Sequence, residues 1–189
     1  MKDGLFFTNM ENVDKEEVVR TRAIVEFFTF ASEYCIFIDK MEQNELSDTY
    51  AFLQKMLPVL YLKGALLPNV EVDDNSANER FVTEEEYETT RYRLAEFLGD
   101  NDFFAAVDLN GDTMDSSPIS LSELLSDIYT DLKDFLLLYS KESLSAKENA
   151  VASAYYNFYD NWGMRLALAL PQIHLLQSKV VLDDSANGE

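Results

Sequence analysis

The sequence predicts an all-α protein: a single domain forming an irregular bundle of about five main helices, with a long C-terminal helix at its centre. Apolar residues recur at spacings of three and four through five long segments, the period of a helix with one buried side. Ser or Thr stands three residues ahead of Glu where three of those segments begin, so hydroxyl and carboxylate can satisfy each other's free amides at a helix start. Alternation of apolar and polar residues, the mark of a half-buried strand, never persists over more than a few positions. At 189 residues, 47% of them hydrophobic, the chain is long enough for one full core and short for two.

The first helix is expected from about Glu17 to Met41, with Ile24, Phe27, Ala31, Tyr34, Cys35 and Ile38 inward and Arg22, Glu26, Glu33 and Lys40 on the polar stripe. The second, about Ser47 to Leu66, buries Leu53, Met56, Leu57 and Leu60. Asn44 or Ser47 can cap it, and Pro58 is expected to kink it by removing the bond to the Gln54 carbonyl. VEVDDNSANERF then reads as a loop, because Asp, Asn and Ser offer the backbone local alternatives to a helix. Thr83 with Glu86 opens a third helix to Leu98, where Gly99 supplies a left-handed stop. Ser120 with Glu123 opens the fourth, to about Tyr139, with Leu121, Leu125, Ile128, Leu132 and Phe135 inward.

Ser145 with Glu148 opens the fifth and longest helix, about Ala146 to Gln177, with Pro171 expected to bend its end. Tyr155, Phe158, Trp162 and Leu166 make so much of its girth apolar that it belongs mid-bundle, packed by the first, second and fourth helices. Residues 1–16 read as an N-terminal extension, 17–178 as the bundle, and the acidic stretch 179–189 as a disordered tail.

Charge narrows the function. Fifteen Lys and Arg against 35 Asp and Glu give a net charge of -20, which repels phosphate backbones and anionic headgroups. Direct nucleic-acid or membrane-surface binding is not expected; a basic protein partner is. The lone cysteine, Cys35, lies in an apolar run and reads as a core group. With no signal-like start and no apolar stretch long enough to span a bilayer, the expected location is the cytoplasm.

Several patterns could carry chemistry. In DLNGDTMDSSPI, Asp108, Asn110 and Asp112 fall at the first, third and fifth positions of a calcium loop. Thr113 stands where the sharp turn needs glycine, however, and Ile119 where a bidentate carboxylate is needed, so the segment reads as a solvated turn. Glu123, Asp127, Asp131 and Asp134 share one face of the fourth helix, a row read as a solvated face, with a magnesium clamp as the alternative. The one histidine, His174, reads as a core or helix-end residue bonded to a carbonyl, and the run YYNFYDNW as core packing. No nucleophile elbow, phosphate-binding loop or dinucleotide fingerprint occurs, and no cofactor is expected. Lys63 and Arg165, each inside an apolar run, need carboxylate partners. Glu33, Asp127, Asp131 and Asp134 are the available ones, which together define a candidate polar cleft between helices one, two, four and five.

The phrases FASEYCIFID, MLPVLYLKGALLP, FVTEEEYE, DIYTDLKDFLLLY and NFYDNWGMRLALAL resemble a family of bacterial helical proteins, found largely among Bacteroidetes, known as domain of unknown function 5063. The resemblance runs from about Val18 to Leu176. It implies a cytoplasmic all-α protein with no established activity and carries over no catalytic residue, and it makes the turn from Asp108 to Asp115 a variable part of the pattern. Two functions are weighed. One is a non-enzymatic module that binds a basic protein through an acidic face or groove. The other is a divalent-metal-dependent phosphoester or nucleotide hydrolase built on the carboxylate row, with Lys63 or Arg165 on phosphate.

Overall fold

A computed structural model describes residues 16–107 and 116–187. In chain order it comprises α1 (Arg22–Asp39), α2 (Leu46–Ala65), α3 (Glu84–Leu98), β1 (Phe103–Val107), β2 (Ser116–Ser120), α4 (Leu121–Tyr139), α5 (Leu144–Asn157) and α6 (Gly163–Asn187). A π turn, Phe158–Trp162, joins α5 to α6. The all-α class holds, with one small hairpin added.

Local chemistry explains the boundaries. Thr83 and Glu86 form the full reciprocal cap, each side chain bonded to the other's amide, and α3 stops at Gly99, whose φ of 54° suits a residue without Cβ. Ser120 Oγ accepts from the Glu123 amide at 3.1 Å and starts α4. The fifth helix starts differently from expectation. Ser143 is its cap, while the Ser145 hydroxyl donates to the Asp74 carbonyl and Glu148 is buried. Pro58 and Pro171 both lie inside continuous helices.

Three elements differ from the sequence reading. The hairpin was missed because its period-two pattern spans only one pair of short strands: Phe104 and Ile119, cross-strand partners, pack on the core, while Phe103 and Pro118 face water. The single fifth helix is two, because the π turn inserts between them. The tail expected to be disordered continues α6 to Asn187, with Val180 packed against the core. The N-terminal extension, residues 1–15 of it, and the calcium-loop positions Asp108, Asn110 and Asp112 lie outside the described residues.

The helices pack antiparallel along the chain. Glu26 meets Lys63 and Phe37 stacks on Phe52, which sets α1 against α2; Tyr34 reaching the Leu125 carbonyl and Phe27 packing on Phe135 set α1 against α4. α6 packs on α2 and α4, and α5 on α4. At the centre Trp162 is fully buried, stacked on Phe27 at 5.6 Å and edge-on to Phe158 at 4.8 Å, with its indole N–H on the Ala154 carbonyl. α2 comes close enough to receive these rings because Gly64 faces them. A Cβ on Gly64 would lie 2.3 Å from Trp162 Cη2 and 2.6 Å from Phe158 Cδ2.

Gly64→Ala should therefore cost about 1–3 kcal/mol through overpacking, because both rings it would strike are buried. Gly99→Ala should cost about 1–2 kcal/mol for a different reason, the left-handed backbone, since no described residue lies within 4 Å of its new methyl. Urea midpoints measure both; a Gly64→Ala protein as stable as wild type would contradict the packing at this contact.

Candidate functional site

Helical spacing puts Glu123, Asp127, Asp131 and Asp134 on one side of α4, but that side is no plain solvated face. Only Glu123 is exposed. Asp127 accepts from Arg165 Nε and from the Tyr87 hydroxyl, both at 3.0 Å, and so ties α6 and α3 to α4. Asp131, one turn on, accepts from the side-chain amides of Asn157 at 3.0 Å and Asn161 at 2.7 Å. Asp134 Oδ1 accepts from two backbone amides, Phe81 at 2.7 Å and Val82 at 2.9 Å.

Those two amides belong to the polar segment that follows α2. It crosses α4 and α5 as a strap. Asn149 Nδ2 and the Ser145 hydroxyl both donate to the Asp74 carbonyl, at 2.7 and 3.0 Å, the Asp74 carboxylate holds the Ser76 amide, and Lys141 pairs with Glu79. The sequence marks this stretch as a loop; what it lacks in apolar side chains it makes up in bonds to the helices beneath.

Between strap, α4 and α5 lies a cavity of about 250 Å³, lined by Asn78, Arg80, Asp131, Asp134, Ser153 and Asn157 among others. A larger groove of about 660 Å³ shares Asn78 and Ser153 with it and runs on past Asn149 to Tyr156. Burial raises the Asp131 carboxyl above the ordinary aspartate range, and the Asn161 amide, the charge of Arg80 and the Asn157 amide pull it back only in part. Among the described residues Arg80 itself is exposed and makes no hydrogen bond or ion pair.

The six residues of the expected cleft thus divide. Asp131 and Asp134 share the cavity, and Asp127 and Arg165 pair beside it. Lys63 bonds Glu26 at 2.6 Å, because antiparallel packing sets the end of α2 beside the start of α1, and Glu33 lies two turns further along. Lys63 and its neighbour Arg22 hold the Glu26 carboxyl low. Glu33 lines a shallow hollow with Ile36, Phe37 and Phe52 at the other end of the helix pair.

Cys35 is buried, and burial pushes its thiol up to about 12, which suits an inert core group. His174 is exposed, and its Nδ1 faces the Gln54 side-chain amide at 2.9 Å, so its partner is no carbonyl. The aromatic run splits: Phe158 and Trp162 are core, whereas Tyr156 and Tyr159 are 59% and 65% exposed. Asp102 was missed altogether. It is buried under the start of α4, where it accepts from the Ser122 amide at 2.6 Å and from the hydroxyls of Ser120 and Ser122. Only closure of the hairpin brings it there, so no local spacing announces it.

Among the described residues no group of three or more His, Cys, Asp or Glu side chains is placed to hold a metal ion, and no helix is long and apolar enough to cross a membrane. What remains is a helical bundle whose inward carboxylates brace its own parts around a small polar cavity. The chain belongs to the family described as Domain of unknown function (DUF5063), which it matches over residues 18–179. It is similar to the crystal structure of protein BF1032 from Bacteroides fragilis, at 31% identity and a TM-score of 0.76, covering 85% of this chain and 96% of that one. No curated protein matches.

Because the folded state favours protonated Asp131, the stability this group adds is fully present below its unfolded-state value, near pH ~4, and is lost as pH rises through the folded value. The urea midpoint of wild type relative to Asp131→Asn should fall as pH rises above about 4; a relative midpoint that climbs with pH would contradict this. Asp134→Ala should cost about 1–3 kcal/mol by leaving two strap amides without their acceptor. Hydrogen exchange should quicken at Phe81 and Val82, and unchanged exchange there would remove Asp134 as the anchor.

Proposed function

We propose that this protein is a non-enzymatic interaction module of the bacterial cytoplasm that binds a basic protein partner through the outward face of α3. One observation carries the reading. Glu84, Glu88, Tyr92 and Glu96 follow one another at intervals of four along α3, and all four are exposed, Tyr92 at 66%. Phe103, just beyond the helix, is 68% exposed.

The opposite side of α3, with Thr90, Leu94 and Leu98, is already used against the bundle. An aromatic amid a row of carboxylates has the anatomy of an interface: the ring supplies buried area, and the charges choose and steer a cationic partner. The net charge of -20 strengthens that steering at low salt. A buried, unreactive Cys35 suits a reducing compartment.

The metal-hydrolase alternative asks Asp127, Asp131 and Asp134 to turn together onto an ion, while each is bonded to a different neighbour. It finds no support in their placement.

The test is copurification of the full chain from its host at low and high salt, in wild type, in Tyr92→Ala and in a Glu84→Lys, Glu88→Lys, Glu96→Lys triple variant. A basic protein should be retained at low salt, released by high salt, and lost about tenfold or more with either variant. A partner retained equally by all three proteins, or none of basic charge, would overturn the reading.

A further inference from the structure

The cavity under the strap is lined by charges of both signs that do not meet. On its α4 wall Asp131 keeps unused acceptor capacity, since each carboxylate oxygen takes one amide N–H and can accept another. Asp134, one turn away, spends Oδ1 on the strap, and its Oδ2 receives no bond from the described residues. Both carboxylates are half-buried, and among the described residues no cation forms an ion pair with either.

Arg80 lies on the strap side. It immediately precedes Phe81, whose amide is fixed on Asp134, so the anchor that closes the strap also places the Arg80 backbone at the cavity, which its side chain lines. It is near enough to act on the Asp131 charge yet forms no ion pair with it. A guanidinium that lines the same cavity as Asp131 and Asp134 without bonding either leaves a gap with a negative wall and, beside the Glu79–Lys141 pair, a positive charge at the rim. Asn78, Ser153 and Asn157 add neutral donors and acceptors around it.

We propose that this cavity binds a free α-amino acid, its ammonium group between Asp131 and Asp134 and its carboxylate on Arg80. An adjacent positive and negative group is what a dipolar lining of this kind recognises. A simple amine would leave Arg80 unused, and a simple acid would face three carboxylates, Glu79, Asp131 and Asp134. The volume of about 250 Å³ sits below the range of drug-sized ligand sites and suits one small molecule. Desolvation already charged to Asp131 in the free protein makes an incoming ammonium worth more there than at the surface. The site does not use the outward stripe of α3, so it stands or falls apart from the partner reading.

The experiment is calorimetric titration of the full chain with each common L-α-amino acid in turn. The best binder is then compared with its decarboxylated amine and its deaminated acid. Saturable binding of at least one amino acid is expected, with both analogues weaker by about tenfold or more. Arg80→Gln, an exposed change that leaves the fold alone, should weaken the amino acid about tenfold and leave the amine unaffected. Asp131→Asn, its fold checked by circular dichroism, should weaken the amino acid and the amine. No saturable binding by any amino acid, or binding that Arg80→Gln leaves unchanged, overturns the proposal; so does an amine that binds as tightly as its amino acid.

Discussion

Trp162 meets three helices and its own π turn from one position. Its ring stacks on Phe27 of α1, its edge fills the space that Gly64 leaves on α2, Phe158 packs against it from the π turn, and its N–H closes on Ala154 near the end of α5. The largest side chain in the core can sit there only because the smallest faces it, so the approach of α2 to α6 is fixed by a volume match. The π turn belongs to the same constraint. Gly163 follows it where a Cβ would lie 2.3 Å from the Phe158 carbonyl oxygen, so the wider turn and the absent side chain require each other. Asn157 precedes that turn and Asn161 lies within it, and both reach Asp131. The polar cavity therefore borrows its geometry from the apolar contact at the bundle centre.

An excess of twenty negative charges opposes compaction, and the fold answers it by turning carboxylates into internal struts. Asp102 and Glu86 hold helix starts, Asp134 and the Asp74 backbone hold the strap, and Asp39 takes the Tyr129 hydroxyl. Donors in these bonds are mostly neutral amides and hydroxyls. That suits a chain with few cations, because a backbone N–H fixes a carboxylate without needing a scarce Lys or Arg.

Most helix boundaries were legible where a chemical signal was local, although the equally local Ser145–Glu148 pattern marks no cap. The Thr83–Glu86 cap, the Gly99 stop and the apolar stripe of α4 each sit within a few residues of sequence, and each is where it was expected. What escaped depends on partners far apart in the chain. Asp102 finds Ser122 only once the hairpin closes, and Lys63 chooses Glu26 over Glu33 by the register of two antiparallel helices, which spacing within either helix does not contain. The π turn hid because a single inserted residue leaves the apolar period on either side nearly intact. Of the candidate cleft, the α4 carboxylates were visible as a row, while Arg80 and Asn78, which complete the cavity, lie in a segment without periodicity.

Asp127 and Asp131 separate structure from readiness. They are one turn apart on the same helix, and both are half-buried. Asp127 has a guanidinium and a phenol on it, so its burial is offset by a cation the chain itself supplies. Asp131 has only amides, and burial dominates its behaviour. A carboxylate kept from water without a contacting cation gains more than its neighbour does from any positive group that reaches it. The strap leaves a cavity at that residue and does not fill it, although Phe81 and Val82, a few residues from Asp131's side of α4, pack closely enough to be bonded to Asp134. Within this braced molecule, the uncompensated group and the open volume coincide at Asp131.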